Sequence, residues 1–334
     1  MDGGFLFLGK KLWKLARGGV PKYRQVSCTA VFCSLQLQHP TTRPWAAKPV
    51  PATQGSHLIR FEHATFSYTG HRPALEDVCL HIPPGAFVAV VGANGSGKST
   101  LARHINALAL PQSGQVLVDG TSTANACAEA AALRALRSQV GLVFQYPEDQ
   151  LVAQTVEDDV AFGPENLGLA PKQIRRRVDE SLQAVGLGGF QARSTAGLSG
   201  GQKQLVALAG ALALAPRVLV LDEATALLDP SARKRLMELV KGLHAQGLTV
   251  VMITQFAEEA AQAQLVAVLN QGRVEAYGAP KTVLADDALL RRCGLMPPFA
   301  ARLSQLLRQR GVPVGPCFRS QPLKEQLCAL LSNT

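Results

Sequence analysis

At 334 residues, 47% of them hydrophobic, the chain is long enough for two domains or for one large domain with appendages. No run of about 18 apolar residues is free of charge, which excludes a transmembrane helix, so any membrane role comes through a partner. The net charge of +10 is uneven: residues 1–56 hold eight Lys/Arg against the single acid Asp2, while the remainder is nearly balanced, so the basic character is no argument for nucleic acid.

The seven cysteines are odd in number and scattered, with no C-x-x-C and no zinc spacing. They read as free thiols in a reducing compartment.

Residues 1–56 differ from the rest of the chain. They are basic and rich in Pro, Ser and Thr, with an apolar start at Phe5, Leu6, Phe7 and Leu8. Three readings stay open: a targeting peptide, a membrane-surface helix, or a disordered extension from an upstream start. Pro40, Pro44, Pro49 and Pro51 argue against a packed element before the first strand and favour the last.

The folded body is expected to begin near Leu58. Residues 58–62 and 64–68 read as two short strands. Tyr68 at their end is either a core aromatic or a stacking platform for adenine. Residues 78–82 are a strand stopped by Pro83, Pro84 and Gly85.

Residues 86–91 form an apolar run of strand length, and residues 101–108 have helical spacing. Between them stand Gly92, Ala93, Asn94, Gly95, Ser96, Gly97, Lys98, Ser99 and Thr100, which fit the phosphate-binding pattern G-x-x-x-x-G-K-[ST]. Glycines let backbone N–H groups approach phosphate oxygens, and the following helix adds its free amides and positive dipole end. Lys98 is expected to reach the β- and γ-phosphates, and Ser99 to ligate Mg²⁺.

Residues 115–120 read as a strand and turn, and residues 140–145 as a strand ending on the polar Gln145. A mainly helical region follows from about 155 to 210. Pro171 opens one of its helices, whose apolar positions Ile174, Val178, Leu182 and Val185 recur at three to four. At 198–204, Ser199, Gly200, Gly201 and Gln202 open a helix, a second candidate anion site.

Residues 218–221 are an apolar strand ending in Asp222 and Glu223, acids at the carboxyl edge of a parallel sheet. Asp222 is placed to hold the Mg²⁺ shell and Glu223 to polarise a water. Asp229 and Pro230 start the next helix. Residues 248–254 are one more buried strand, which ends at Gln255. Residues 266–277 resemble a hairpin around Asn270, Gln271 and Gly272, and an apolar helical tail follows.

The order of these motifs over residues 58–280 resembles an ABC-type ATPase. Residues 92–100 match its Walker A, Gln145 its Q-loop, and residues 198–202 its LSGGQ signature. Residues 218–223 match Walker B with the catalytic Glu, Leu228 and Asp229 the D-loop, and Tyr68 the adenine-stacking aromatic. The resemblance implies an α/β fold with a parallel core sheet, an antiparallel β subdomain and a helical subdomain at about 150–210. It implies ATP and Mg²⁺ as cofactors, Gln145 as a metal contact, and a head-to-tail pair of subunits with ATP between Walker A of one and the signature of the other.

A narrower similarity lies in residues 144–151 and 155–167, which look like the ATPase subunit of energy-coupling factor (ECF) importers, including cobalt and nickel importers. The tail 281–334 resembles the helical extension that helps those subunits dimerise. This implies a place at the cytoplasmic face of the membrane, under a membrane-embedded coupling protein. A small substrate-binding membrane protein would select a vitamin or metal cargo.

One departure is Gln255, where the family has His at the γ-phosphate; a carboxamide donates a hydrogen bond but carries no proton charge. The competing readings are a non-transport ABC ATPase acting on DNA or ribosomes, and a regulatory module without turnover. The single cassette without sustained heptads argues against the first. Glu223 and the complete signature argue against the second.

Overall fold

The structure is a computed structural model that describes residues 58–68 and 72–332. The readings offered for residues 1–56 lie outside them.

Two sheets carry the body. The first is antiparallel, built from β1 (Ile59–Phe66), β2 (Leu75–Ile82), β4 (Ser113–Val118) and β5 (Thr121–Ser122), in the order β2-β1-β4-β5. The second contains β3 (Phe87–Val91), β6 (Val140–Val143), β7 (Val218–Asp222), β8 (Thr249–Thr254), β9 (Leu265–Asn270) and β10 (Arg273–Gly278), in the order β10-β9-β3-β8-β7-β6. Its β9-β3-β8-β7-β6 portion is parallel, and β10 closes it as the antiparallel arm of the expected hairpin. Each of β3, β6, β7 and β8 is buried along its whole length, as parallel strands covered on both faces must be.

The two-residue period of β3 divides two cores. Phe87, Ala89 and Val91 face one; Val88 and Val90 face the other. The second core holds the antiparallel sheet and the helix α1 (Lys98–Ile105), with Phe61, Leu75, Leu101 and Ile105 inside it. Helices α2 (Thr123–Ala128) and α3 (Ala130–Gln139) cover its rim.

The first core is closed by α4 (Val156–Asn166), α5 (Pro171–Ala184), α6 (Gly200–Ala213) and α7 (Pro230–Ala245). The stripe on α5 behaves as its spacing predicts: Val178 and Leu182 are buried, with Val185 just beyond its end. Pro171 stands at the first position, where a missing N–H costs nothing.

The short α8 (Ala257–Ala260) joins β8 to β9, and beyond β10 run α9 (Pro280–Val283), α10 (Asp287–Arg292), α11 (Phe299–Gln309) and α12 (Ser320–Ser332). The last two share a small cluster of Ala300, Cys317 and Leu323.

One expectation is corrected. Residues 58–62 and 64–68 are not two strands but the single β1, ending at Phe66, with Tyr68 outside it. The pairing of β1 with β2 shifts register between Phe61 and Ala64, and His63 adopts φ 51°. A bulge breaks the alternation that the sequence pattern relies on.

Candidate nucleotide site

β3 ends at Val91 and the chain enters the glycine loop. A Cβ on Gly92 would lie 2.2 Å from the Leu269 carbonyl oxygen, so only glycine passes between β3 and β9 there. Gly97 caps α1 in the left-handed region at φ 104°, and a Cβ on it would lie 2.2 Å from the Ala74 carbonyl oxygen. Asn94 and Gly95 form the exposed crown of the loop.

The Lys98 ammonium is buried and folds back over the loop. It donates to the Gly92 and Ala93 carbonyl oxygens at 3.0 Å each and lies 3.5 Å from Glu223 Oε1. Ser99 Oγ donates to Asp222 Oδ1 at 2.9 Å. This joins the first turn of α1 to the end of β7. Burial pushes the Asp222 carboxyl above the usual carboxylate range, with the Ser99 hydrogen bond opposing it. Ser96 Oγ is buried in the loop without a hydrogen-bond partner. A buried hydroxyl left without a partner in a glycine loop fits a loop built to wrap an anion.

Sheet register brings the other candidates to the same edge. Val143 pairs with Leu221, so Gln145 emerges beside Asp222 and Glu223. Asp222 pairs with Ile253, and Thr254 with Val91, so Gln255 emerges between Glu223 and the glycine loop. Gln255 lines a cavity of about 480 Å³ with Gly92, Ala93 and Asn94, walled on the far side by Leu295, Met296 and Phe299. Glu223 itself sits at φ 48°, its amide donating to the Ile253 carbonyl.

Tyr68 stands beside α1. Its hydroxyl lies 3.3 Å from Thr100 Oγ1 and accepts from Arg103 Nη1 at 3.0 Å, while its ring meets Phe66 edge-on. The ring is 57% exposed, which gives it a free face next to the loop.

The remaining candidates lie elsewhere. Ser199 caps α6 in a reciprocal box: it accepts from the Gln202 amide at 3.3 Å, and Gln202 Oε1 accepts from the Ser199 amide at 3.0 Å. Ser199, Gly200, Gly201 and Gln202 line a separate cavity of about 780 Å³ together with Asp229. Asp229 caps α7, and hydrogen bonds from Ser231 and Ala232 hold its carboxyl below the usual range. No residue of the glycine loop lines that cavity.

Three supporting residues escape sequence reading. Gln150 accepts from the Phe144 amide and donates to the Leu142 carbonyl, acting as a short false strand beside β6; Gln204 donates to the Phe144 carbonyl. Together they fix the strand end that presents Gln145. Glu259 is buried, its carboxylate accepting from Thr225 and Thr254, and burial raises its pKa. It ties the segment after Glu223 to the residue before Gln255. Nothing in the sequence separates it from its exposed neighbour Glu258.

A parallel sheet whose carboxyl edge gathers a phosphate loop, a buried Lys and two acids defines a P-loop nucleotide-hydrolysing cassette. The family model described as ABC transporter matches residues 75–226. The chain is 50% identical over 264 residues to the energy-coupling factor transporter ATP-binding protein EcfA1 of Symbiobacterium thermophilum, covering 78% of this chain and 91% of that protein. Among solved structures it is similar to cbiO1 of Clostridium perfringens, part of the ABC transporter complex cbiONQ, with a TM-score of 0.64 and 33% identity over 75% of this chain and 99% of the other. It is also similar to a dimeric ATP-binding cassette in a post-hydrolysis state with ADP and Pi, with a TM-score of 0.60 and 30% identity over 66% and 98% of the two chains. The chain belongs to the ATP-binding subunits of energy-coupling factor transporters, within the ABC ATPases. It is an ATP-binding, ATP-hydrolysing subunit, and among the described residues no helix is long and apolar enough to cross a membrane.

Proposed function

We propose that the chain is one of two ATPase subunits that power an importer from the cytoplasmic face of the membrane. They would sit under a coupling membrane protein, and a small membrane protein would choose a vitamin or transition-metal cargo. The observation that carries this reading is the separation of the two nucleotide-facing surfaces. Gly92, Ala93, Asn94 and Gln255 line one cavity, at the sheet edge where Lys98 meets Glu223 and Ser99 meets Asp222; Ser199, Gly200, Gly201, Gln202 and Asp229 line another. A single chain cannot close both on one nucleotide. A second cassette, identical or related, placed head to tail brings its signature onto the first one's phosphate loop. Residues 281–334 supply a further surface for that pairing, where Met296, Phe299 and Leu306 are exposed.

The chemistry follows from the side chains. The loop amides and Lys98 hold and neutralise the β- and γ-phosphates, and Tyr68 offers its open face to adenine. The two oxygens of Ser99 and Asp222, 2.9 Å apart, are the hard donors that Mg²⁺ takes, with Gln145 at the same sheet edge. When bound, the ion neutralises charge on the transferred phosphoryl group. Glu223 orients and deprotonates the attacking water, and Gln255 donates to the γ-phosphate side without a titrating proton. Gln255 thereby favours a slow site, which pairing with an intact site on a related subunit would complement.

Movement reaches the membrane through the groove beside Gln145. Leu108, Val152 and Phe162 are exposed around it, and Tyr146 stands next to Gln145. An exposed apolar groove next to the nucleotide sensor suits the coupling protein's contact helix.

The experiment is mass spectrometry of what co-purifies with the full chain from detergent-solubilised membranes. A coupling membrane protein, with or without a second ATPase, is the expected recovery. Soluble partners alone would overturn the importer reading.

A further inference from the structure

On the outer face of the antiparallel sheet, far in sequence from the phosphate loop, three side chains of metal-ligating type converge. Asp77 and Cys79 stand two apart on the exposed face of β2. His63 comes from the bulge of β1 opposite them. His63 Nδ1 lies 2.7 Å from Asp77 Oδ1 and 3.6 Å from Cys79 Sγ, and the three ligand atoms all fall within 4.8 Å of one another.

The backbone is arranged around this meeting. A regular β1 would alternate Phe61, Glu62, His63 and Ala64 between faces; the register shift instead lets two residues oppose one. His63 and Asp77 both adopt φ 51°. The displaced His63 carbonyl is received by Gly114 on β4, where a Cβ would lie 2.2 Å from it. The neighbouring strand thus carries the one residue type that admits the bulge. The His63–Asp77 ion pair alone gives this geometry little purpose, since both side chains are more than half exposed and water screens such pairs.

We propose that His63, Asp77 and Cys79 form a surface site for a borderline-soft divalent transition cation, of the Zn²⁺, Co²⁺ and Ni²⁺ class. One thiolate, one imidazole and one carboxylate select that class over Mg²⁺ and Ca²⁺. Tetrahedral ligation with bonds of about 2.0–2.3 Å sets ligand atoms ~3.3–3.6 Å apart. The Cys79–His63 separation already meets that. Asp77 needs only to back away from its shared proton, which exposed side chains allow. Solvent fills the fourth position. The ion pins the β1 bulge to β2, and its binding releases the Cys79 proton.

The test uses the full chain, reduced, stripped with chelator and free of nucleotide, titrated with Co²⁺ alone. A thiolate-to-cobalt charge-transfer band saturating at one equivalent is expected, with a rise in melting temperature. Cys79→Ser removes the band, and His63→Ala or Asp77→Asn weakens cobalt binding at least about tenfold. All three keep wild-type Mg·ATP hydrolysis, which reports that they fold. Absence of the band in wild type, or a band unchanged in Cys79→Ser, overturns the proposal. Neither result bears on the importer reading, which rests on other residues.

Discussion

Ser99 Oγ and Asp222 Oδ1 meet at 2.9 Å across the gap between α1 and β7. The carboxylate pays for this place, because burial raises its pKa. A buried acid with a raised pKa holds its proton more tightly folded than unfolded. The folded state therefore loses stability as pH rises from the ordinary carboxylate value, about 3.9, through the raised one. Asp222→Asn should raise the melting temperature of the nucleotide-free chain at neutral pH. The same variant should lose the further rise that Mg·ATP gives wild type. Thermal melts with and without Mg·ATP check both, and a variant less stable than wild type without nucleotide would contradict the argument.

Glu223→Gln should keep ATP binding and lose turnover by about 10²–10⁴. Lys98 Nζ, 3.5 Å from Glu223 Oε1, retains its two carbonyl partners, so the loop should stay in place. Equilibrium nucleotide binding alongside steady-state phosphate release separates the two effects.

Gln255→His should speed single-turnover hydrolysis. Loss of a positioned transition-state donor typically costs ~10²–10³ in rate, and restoring one should recover part of that. The added imidazole should also bring a pH dependence near neutrality that Gln255 cannot have. Equal rates in the two proteins would remove the slow-site reading.

Gly97→Ala should destabilise the chain by about 1–3 kcal/mol from its left-handed backbone alone. The clash with the Ala74 carbonyl adds to this. Gly95→Ala, also at positive φ but with open space around it, should cost less. Urea unfolding of the pair measures the difference.

The sequence made much of the site legible because phosphate chemistry demands residue types at fixed spacing. Lys98, Ser99, Asp222 and Glu223 meet as their motifs imply, and register alone carries Gln145 and Gln255 to the same edge. Buried parallel strands such as β7 and β8 announced themselves as unbroken apolar runs. The bulge at His63 did not, since nothing in local propensity marks an extra residue in a strand. Gln150 and Glu259 were equally silent: their roles consist of hydrogen bonds to backbone and hydroxyl groups far along the chain. A polar residue carries no period that would reveal such a partner.

The five residues of β3 serve as a party wall, with Phe87, Ala89 and Val91 plastered to one room and Val88 and Val90 to the other. The phosphate loop is the cornice of that wall. Neither lobe can melt while the other stands without stripping one side of β3, so heat should take down both in a single step. A nucleotide gripping the loop should accordingly shield cleavage sites throughout both lobes from protease, and not merely those beside it.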